Sequence, residues 1–572
     1  MLAISIPDKR VTAWMAETGI KETQAWLDTL PMADSTAYAR ELYQALYTLN
    51  RQDIAAQDRF ELMELYRSPV GVVTSNLQQY FAKLSVPLNP QRRQLAEFVR
   101  SLQMEMAYGY KCVLYDIQRA KIQWGKKSMQ VATIGHVLHY LGEVLLRSYQ
   151  VYIPYPVGIW KEIHTLYGYS EVLKILDQKI FRTSGHSQIE STISKLYRHI
   201  LLLGICSPYQ LLQNECFQID QFLESWVDKA TLKDDLDVSN TAGQFLLDLS
   251  VDAIPVPFPR DVKLGQEKHL RCLSTVELAR SVHSFINKLQ HGQSAREVGL
   301  GIDCLDAACV DLLRRMVRFW GLAVRRQYNR TRKRSSAFVC CGLNALHFFA
   351  GGQRPFEQQS TAFQDPDEVS SISESPDIES GSENSETYLD LDQMETGHSP
   401  QGKNKPAQKT VRADEVFRMD RWRVKDESAS GLLLVHSGQS ITPMRVGDLI
   451  GVQNANEAGR WRAGVVRWLK SPKEDQLEMG IEMLSPGFTP VAVKSSNDHG
   501  MFGQHFYQAL LLPAIKALRR PKSLLVPRGL YHPETHIQLG LGEEEGVIQV
   551  KPIKLLERSG SFEHILYVAL AV

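Results

Sequence analysis

Two short stretches carry side chains whose types and spacing suit ligand binding. The first, Trp422 to Leu434 (WRVKDESASGLLL), places Asp426, Ser428 and Gly431 between two strand-like runs. An ionised Asp offers only acceptors, and a Ser hydroxyl both donates and accepts. Gly permits a tight turn or a close backbone approach. The second stretch is basic: Arg314, Arg315, Arg318, Arg325, Arg326, Arg330, Arg332, Lys333 and Arg334. Guanidinium forks match phosphate oxygens in planar, bidentate geometry. Each stretch also has a plain reading. Asp, Ser and Gly are ordinary turn residues, and arginines suit the C-terminal end of a helix or can neutralise an acidic segment.

The surrounding elements decide whether these residues can be positioned. A chain of 572 residues with 44% hydrophobic and 23% charged content exceeds one compact core. The pattern predicts a multidomain α+β protein: a mainly helical N-terminal region, a small antiparallel β-barrel, and a further small β-rich C-terminal unit. Residues 1–235 show apolar positions at three- and four-residue spacing and read as helical throughout. Residues 236–320 are mixed and mainly helical; 321–356 hold the arginine run and an apolar, β-rich stretch, SSAFVCCGLNALHFFAGG. Residues 357–412 read as a disordered linker: 357–400 contain twelve Asp or Glu, no Lys or Arg, and many Ser. Short strand-like runs with Gly, Asn and Ser breaks fill 413–495, as a barrel or sandwich. In 496–572 a helix-like FGQHFYQALLLPAIKAL precedes alternating stretches, a β unit that could pair with the preceding one.

The segment from 411 to 485 resembles a PilZ domain, the bacterial receptor module for cyclic di-GMP. Asp426, Ser428 and Gly431 fit the family pattern of Asp or Asn, any residue, Ser, two of any residue, Gly; GVVRWLK and LEMGIEML resemble its paired closing strands. The resemblance implies an upstream pair of arginines, three residues apart, before the first barrel strand. Arg330 and Arg334 fit and lie closest to SSAFVCCGL; Arg326 and Arg330 fit the spacing equally. The chain departs from compact members in the 91 residues between Arg334 and Asp426. Closure entropy grows only logarithmically with loop length, so a split barrel is tolerable. The resemblance implies that the arginines clamp phosphates and a guanine O6/N7 edge, and that Asp426 accepts from the N1–H and exocyclic amine of a guanine. Ser428 would meet a base edge or phosphate, and Gly431 would allow close approach. Cyclic di-GMP is then the ligand, a protein partner binds the helical region, and no cofactor or metal is expected. The alternative is a non-enzymatic scaffold with a degenerate barrel that binds no nucleotide.

Other function classes find little support. GxSxG, HExxH, P-loop and GxGxxG motifs are absent, so the chain is not expected to be an enzyme. The net charge of +1 and the short basic patch argue against nucleic acid. The eight cysteines contain no CxxC pair, which argues against a disulfide framework or a zinc site. The start turns polar within eight residues and no apolar run is long enough to span a bilayer, so a cytoplasmic protein is expected.

Overall fold

The computed structural model describes residues 2–10, 16–82, 84–119, 127–184, 187–236, 240–259, 267–302, 304, 306–321, 329–356, 417–438, 442–457, 459–496, 505–515, 520–532, 534–541 and 546–570. The acidic linker expected at 357–412 and Arg326 lie outside these residues. The chain divides into two compact units, Met1–Gln327 with Leu469–Glu474, and Tyr328–Trp468 with Asp475–Val572.

The first unit is built on helices α1 (Ile20–Thr29), α2 (Ser35–Leu49), α3 (Ala56–Gln78), α4 (Pro90–Arg119), α5 (Lys127–Gln150), α6 (Ile159–Val172), α7 (Ile193–Ile205), α8 (Glu215–Trp226), α9 (Val276–Gln290) and α10 (Asp306–Gly321). Their apolar stripes meet in one core, for example Leu62, Tyr66, Leu102, Met106, Leu138, Leu141, Ile200 and Phe222. Buried charges in it are paired. Arg59 donates to the carbonyls of Leu49 and Gln52, at 2.8 Å each, and Arg51 faces Glu105.

This unit is not helical throughout, as the periodicity had suggested. Strands β1 (Lys179–Ser184) and β2 (Ser187–Thr192) form a hairpin. Helix α7 therefore starts only at Ile193, where the Thr192 side chain accepts from the backbone N–H of Lys195 at 3.1 Å. A four-stranded sheet follows, in the order β3 (Thr231–Lys233), β6 (Leu270–Ser274), β4 (Gln244–Asp248), β5 (Val256–Pro257). Cys304 and Cys309, five positions apart, form one local disulfide, a pair that the argument against a disulfide framework did not address. Among the described residues no helix is long and apolar enough to cross a membrane.

The second unit holds two closed six-stranded antiparallel barrels. The first runs β7 (Thr331–Cys341), β8 (Met419–Ser428), β9 (Gly431–Ser437), β12 (Gln476–Ser485), β11 (Trp461–Lys473), β10 (Leu449–Asn454), and closes from β10 back to β7. The strand that precedes the acidic segment thus pairs on both sides with strands that follow it. After Cys341 the chain does not stay β: Leu343–Ala350 is helix α11, started by Gly342 at φ 95°. Its Leu343 and Leu346 pack with Leu449, Trp461 and Val465 of the first barrel and with Leu510, Leu525 and Phe562 of the second.

The second barrel has the order β13 (Thr489–Ser495), β14 (Tyr507–Leu512), β15 (Ser523–Pro527), β18 (Phe562–Ala569), β17 (Val547–Arg558), β16 (Ile537–Gly540). It closes on itself and adds no strand to the first. The helix expected around YQALLL is the strand β14, paired with β13 and β15. Ala and Leu favour helix locally, but two ladders of main-chain hydrogen bonds and a buried site override that preference.

Candidate functional site

The turn that holds Asp426, Ser428 and Gly431 is the β8–β9 hairpin. Ser428 pairs with Gly431 across the two residues Ala429 and Ser430. The backbone N–H of Met483 in β12 donates to the Ser430 carbonyl at 2.9 Å and anchors the turn to a third strand. Gly431 is required for proximity, not for an unusual φ: a Cβ there would lie 2.6 Å from the Ile481 carbonyl oxygen.

A register irregularity between Val424 and Asp426 decides where the carboxylate points. Trp422 and Val424 are buried in the barrel. Strict alternation would turn Asp426 inward as well. The extra residue, Lys425, breaks the alternation, so Asp426 pairs with Leu433 on the outer face. Ser428, two residues on, shares that face. The Ser428 hydroxyl lies 3.3 Å from the Gly431 carbonyl.

Arg330 meets Asp426. Its Nη1 lies 3.1 Å from Oδ1 and 3.3 Å from Oδ2. The antiparallel pairing of β7 with β8 brings this about, since Thr331 faces Glu427 and Arg332 faces Asp426. Arg334 falls in an irregularity of the same ladder, between Arg332 and Ser335. The side chains of Arg332 and Arg334 are exposed and have no ion-pair or hydrogen-bond partner among the described residues. The structure therefore brings Arg330 onto Asp426 beside Ser428 and Gly431, and leaves Arg334 open on the adjoining strand.

One neighbour escaped the sequence reading. Glu427 lies between two cations, Arg462 at 3.2 Å and Lys333 at 3.8 Å. The signal was there in the adjacent acids of KDES, of which only the first fitted a pattern. The site is thus an anion-receptive strand end with a carboxylate at its centre. It can take phosphates on the open arginines and N–H donors on Asp426.

Three family models match in succession. They are the N-terminal domain of the cyclic-di-GMP receptor FimW over residues 21–236, its middle PilZ domain over 244–490, and its C-terminal beta-barrel domain over 491–570. Residues 244–490 therefore carry a PilZ domain. It is 26% identical over 545 residues, 92% of this chain and 86% of the other, to "Cyclic-di-GMP receptor FimW" of Pseudomonas aeruginosa. In PilZ terms the barrel here is split: its first strand, β7, comes before the acidic segment and the other five come after it.

Proposed function

We propose that the chain is a cytoplasmic bacterial receptor that binds cyclic di-GMP on the outer face of its PilZ barrel and answers through a protein partner of the helical unit. The observation that carries this reading is the meeting of Arg330 and Asp426, 96 positions apart in sequence, at 3.1 Å. A degenerate barrel has no need to keep both half-sites, so the scaffold alternative is not favoured. Arg330 and Arg334, with Arg326 from the same run, take the phosphates and one guanine edge. Asp426 accepts from the N1–H and amine of the other guanine, with Ser428 at its rim and Gly431 holding the hairpin down. The Arg330–Asp426 pair is partly exposed, so exchanging it for ligand contacts costs little. The arginine run follows α10 directly in sequence, so ligand contacts to its arginines are how occupancy would reach the helical unit.

Calorimetry of the full chain with cyclic di-GMP tests this. Binding at micromolar ligand or below is expected. It should weaken at least tenfold when Arg330→Ala and Arg334→Ala are combined, which is the loss of about 1.4 kcal/mol or more. No heat at micromolar ligand, or equal affinity in the double variant, overturns the reading.

A further inference from the structure

The outer face of the first barrel carries an aromatic residue in line with the site. Strand register places Arg332, Asp426, Leu433 and Gly480 in one row across four neighbouring strands. Neighbouring strands lie about 4.8 Å apart, so Gly480 is roughly 10 Å from Asp426. Gly480 has no side chain, and the indole of Trp468 fills the space one would need. A Cβ on Gly480 would lie 1.8 Å from the Trp468 Nε1 and 2.4 Å from both atoms bonded to it. The ring therefore rests on the bare backbone and is only half-buried. Leu433, between Asp426 and Gly480 in the row, is 8% exposed and makes an apolar floor.

We propose that Trp468 is the stacking wall of this site and takes the face of a guanine whose edge is held near Asp426. The inference rests on the cyclic di-GMP reading above and adds to it. A purine needs both an edge partner and a face partner. The row supplies cation, carboxylate, apolar floor and aromatic ring in that order. Gly480 is then a positioning residue, because any side chain there would lift the indole off the sheet.

Calorimetry with cyclic di-GMP on the full chain compares the native protein with Trp468→Ala, Trp468→Phe, Gly480→Ala and Asp426→Ala. Base–aromatic stacking predicts a loss of roughly tenfold or more for Trp468→Ala. Trp468→Phe should retain affinity within a few-fold, and Gly480→Ala should weaken binding although it adds one methyl. In a second measurement, native chain labelled with 5-fluorotryptophan, its Trp468 resonance assigned through Trp468→Phe, should shift that resonance on adding ligand. Undiminished binding by Trp468→Ala while Asp426→Ala loses it, or a resonance that stays still under saturating ligand, overturns the stacking role alone. A native chain that binds nothing overturns it together with the receptor reading.

Discussion

The two barrels share strand number, antiparallel closure and a buried apolar interior, yet they use their irregularities for opposite ends. In the first, one extra residue at Lys425 turns Asp426 out to meet Arg330 on an open face. In the second, β17 carries two register shifts, between Pro552 and Lys554 and between Leu555 and Glu557. The second of these presents Glu557 to Arg467 of the first barrel, at 2.9 Å, where Arg467 also holds Glu482 at 2.7 Å. The second barrel also buries Glu563, which accepts from Arg558 and from the Tyr531 backbone at 2.7 Å each. The first barrel pairs Asp426 on an exposed strand end, whereas the second buries Glu563 and turns Glu557 to its neighbour. Architecture alone does not separate the two roles; the position of a single inserted residue does.

The largest effect should come from the core that the barrels share. Phe562 is fully buried in the cluster that also holds Leu449, Trp461 and Val465 of the first barrel. Phe562→Ala should cost about 3–5 kcal/mol. Hydrogen exchange should then show β10 and β11 losing protection together with β14 and β15. Loss confined to the second barrel would mean that the two barrels are stable separately, as independent modules.

A second effect belongs to the second barrel and is pH-dependent. His564 lies 2.8 Å from the Ser523 hydroxyl. Burial lowers its pKa to about 4; Glu557 opposes this, while Arg520 and Arg467 add to it. The unfolded chain titrates this ring near 6.5, so between about pH 6.5 and 4 the unfolded state binds a proton that the folded state does not. The stabilisation is complete above pH 6.5 and is lost as the pH falls toward 4, by roughly 3–3.5 kcal/mol at most. His347 on α11 is also lowered to about 4 by burial. Denaturant unfolding across this range should therefore show a shallower slope, not a flat one, for His564→Asn. An unchanged slope would place the acid sensitivity elsewhere.

How legible each barrel was follows from the same contrast. The Asp426 turn was readable because its residues are local in sequence: Asp426, Ser428 and Gly431 span six positions. The Arg330 partnership was readable only as a spacing, and the register that completes it depends on strands across the acidic segment. The outward turn of Asp426 was not readable, since it depends on a bulge that alternation alone does not reveal. In the second barrel, YQALLL looked helical because its Leu and Ala are good helix formers and its pairing partners lie in other segments. Leu343–Ala350 erred the other way, being too short and too uniformly apolar for periodicity to distinguish helix from strand.

The smallest effects on stability separate the two carboxylates most directly. Glu557→Ala removes one of the two carboxylates on a partly buried arginine and should cost about 1 kcal/mol, while leaving cyclic di-GMP affinity unchanged. Asp426→Ala removes a partly exposed pair and should change stability by no more than about 0.5 kcal/mol, while binding falls at least tenfold. Thermal melting and calorimetry on the two variants and their combination check both statements. The combined variant should show the stability loss of the first and the binding loss of the second, without further coupling, because the two carboxylates share no partner. If Asp426→Ala melted as far below the native protein as Glu557→Ala, the outward carboxylate would be a structural strut like its counterpart. The inserted Lys425 would then serve the fold and not a ligand.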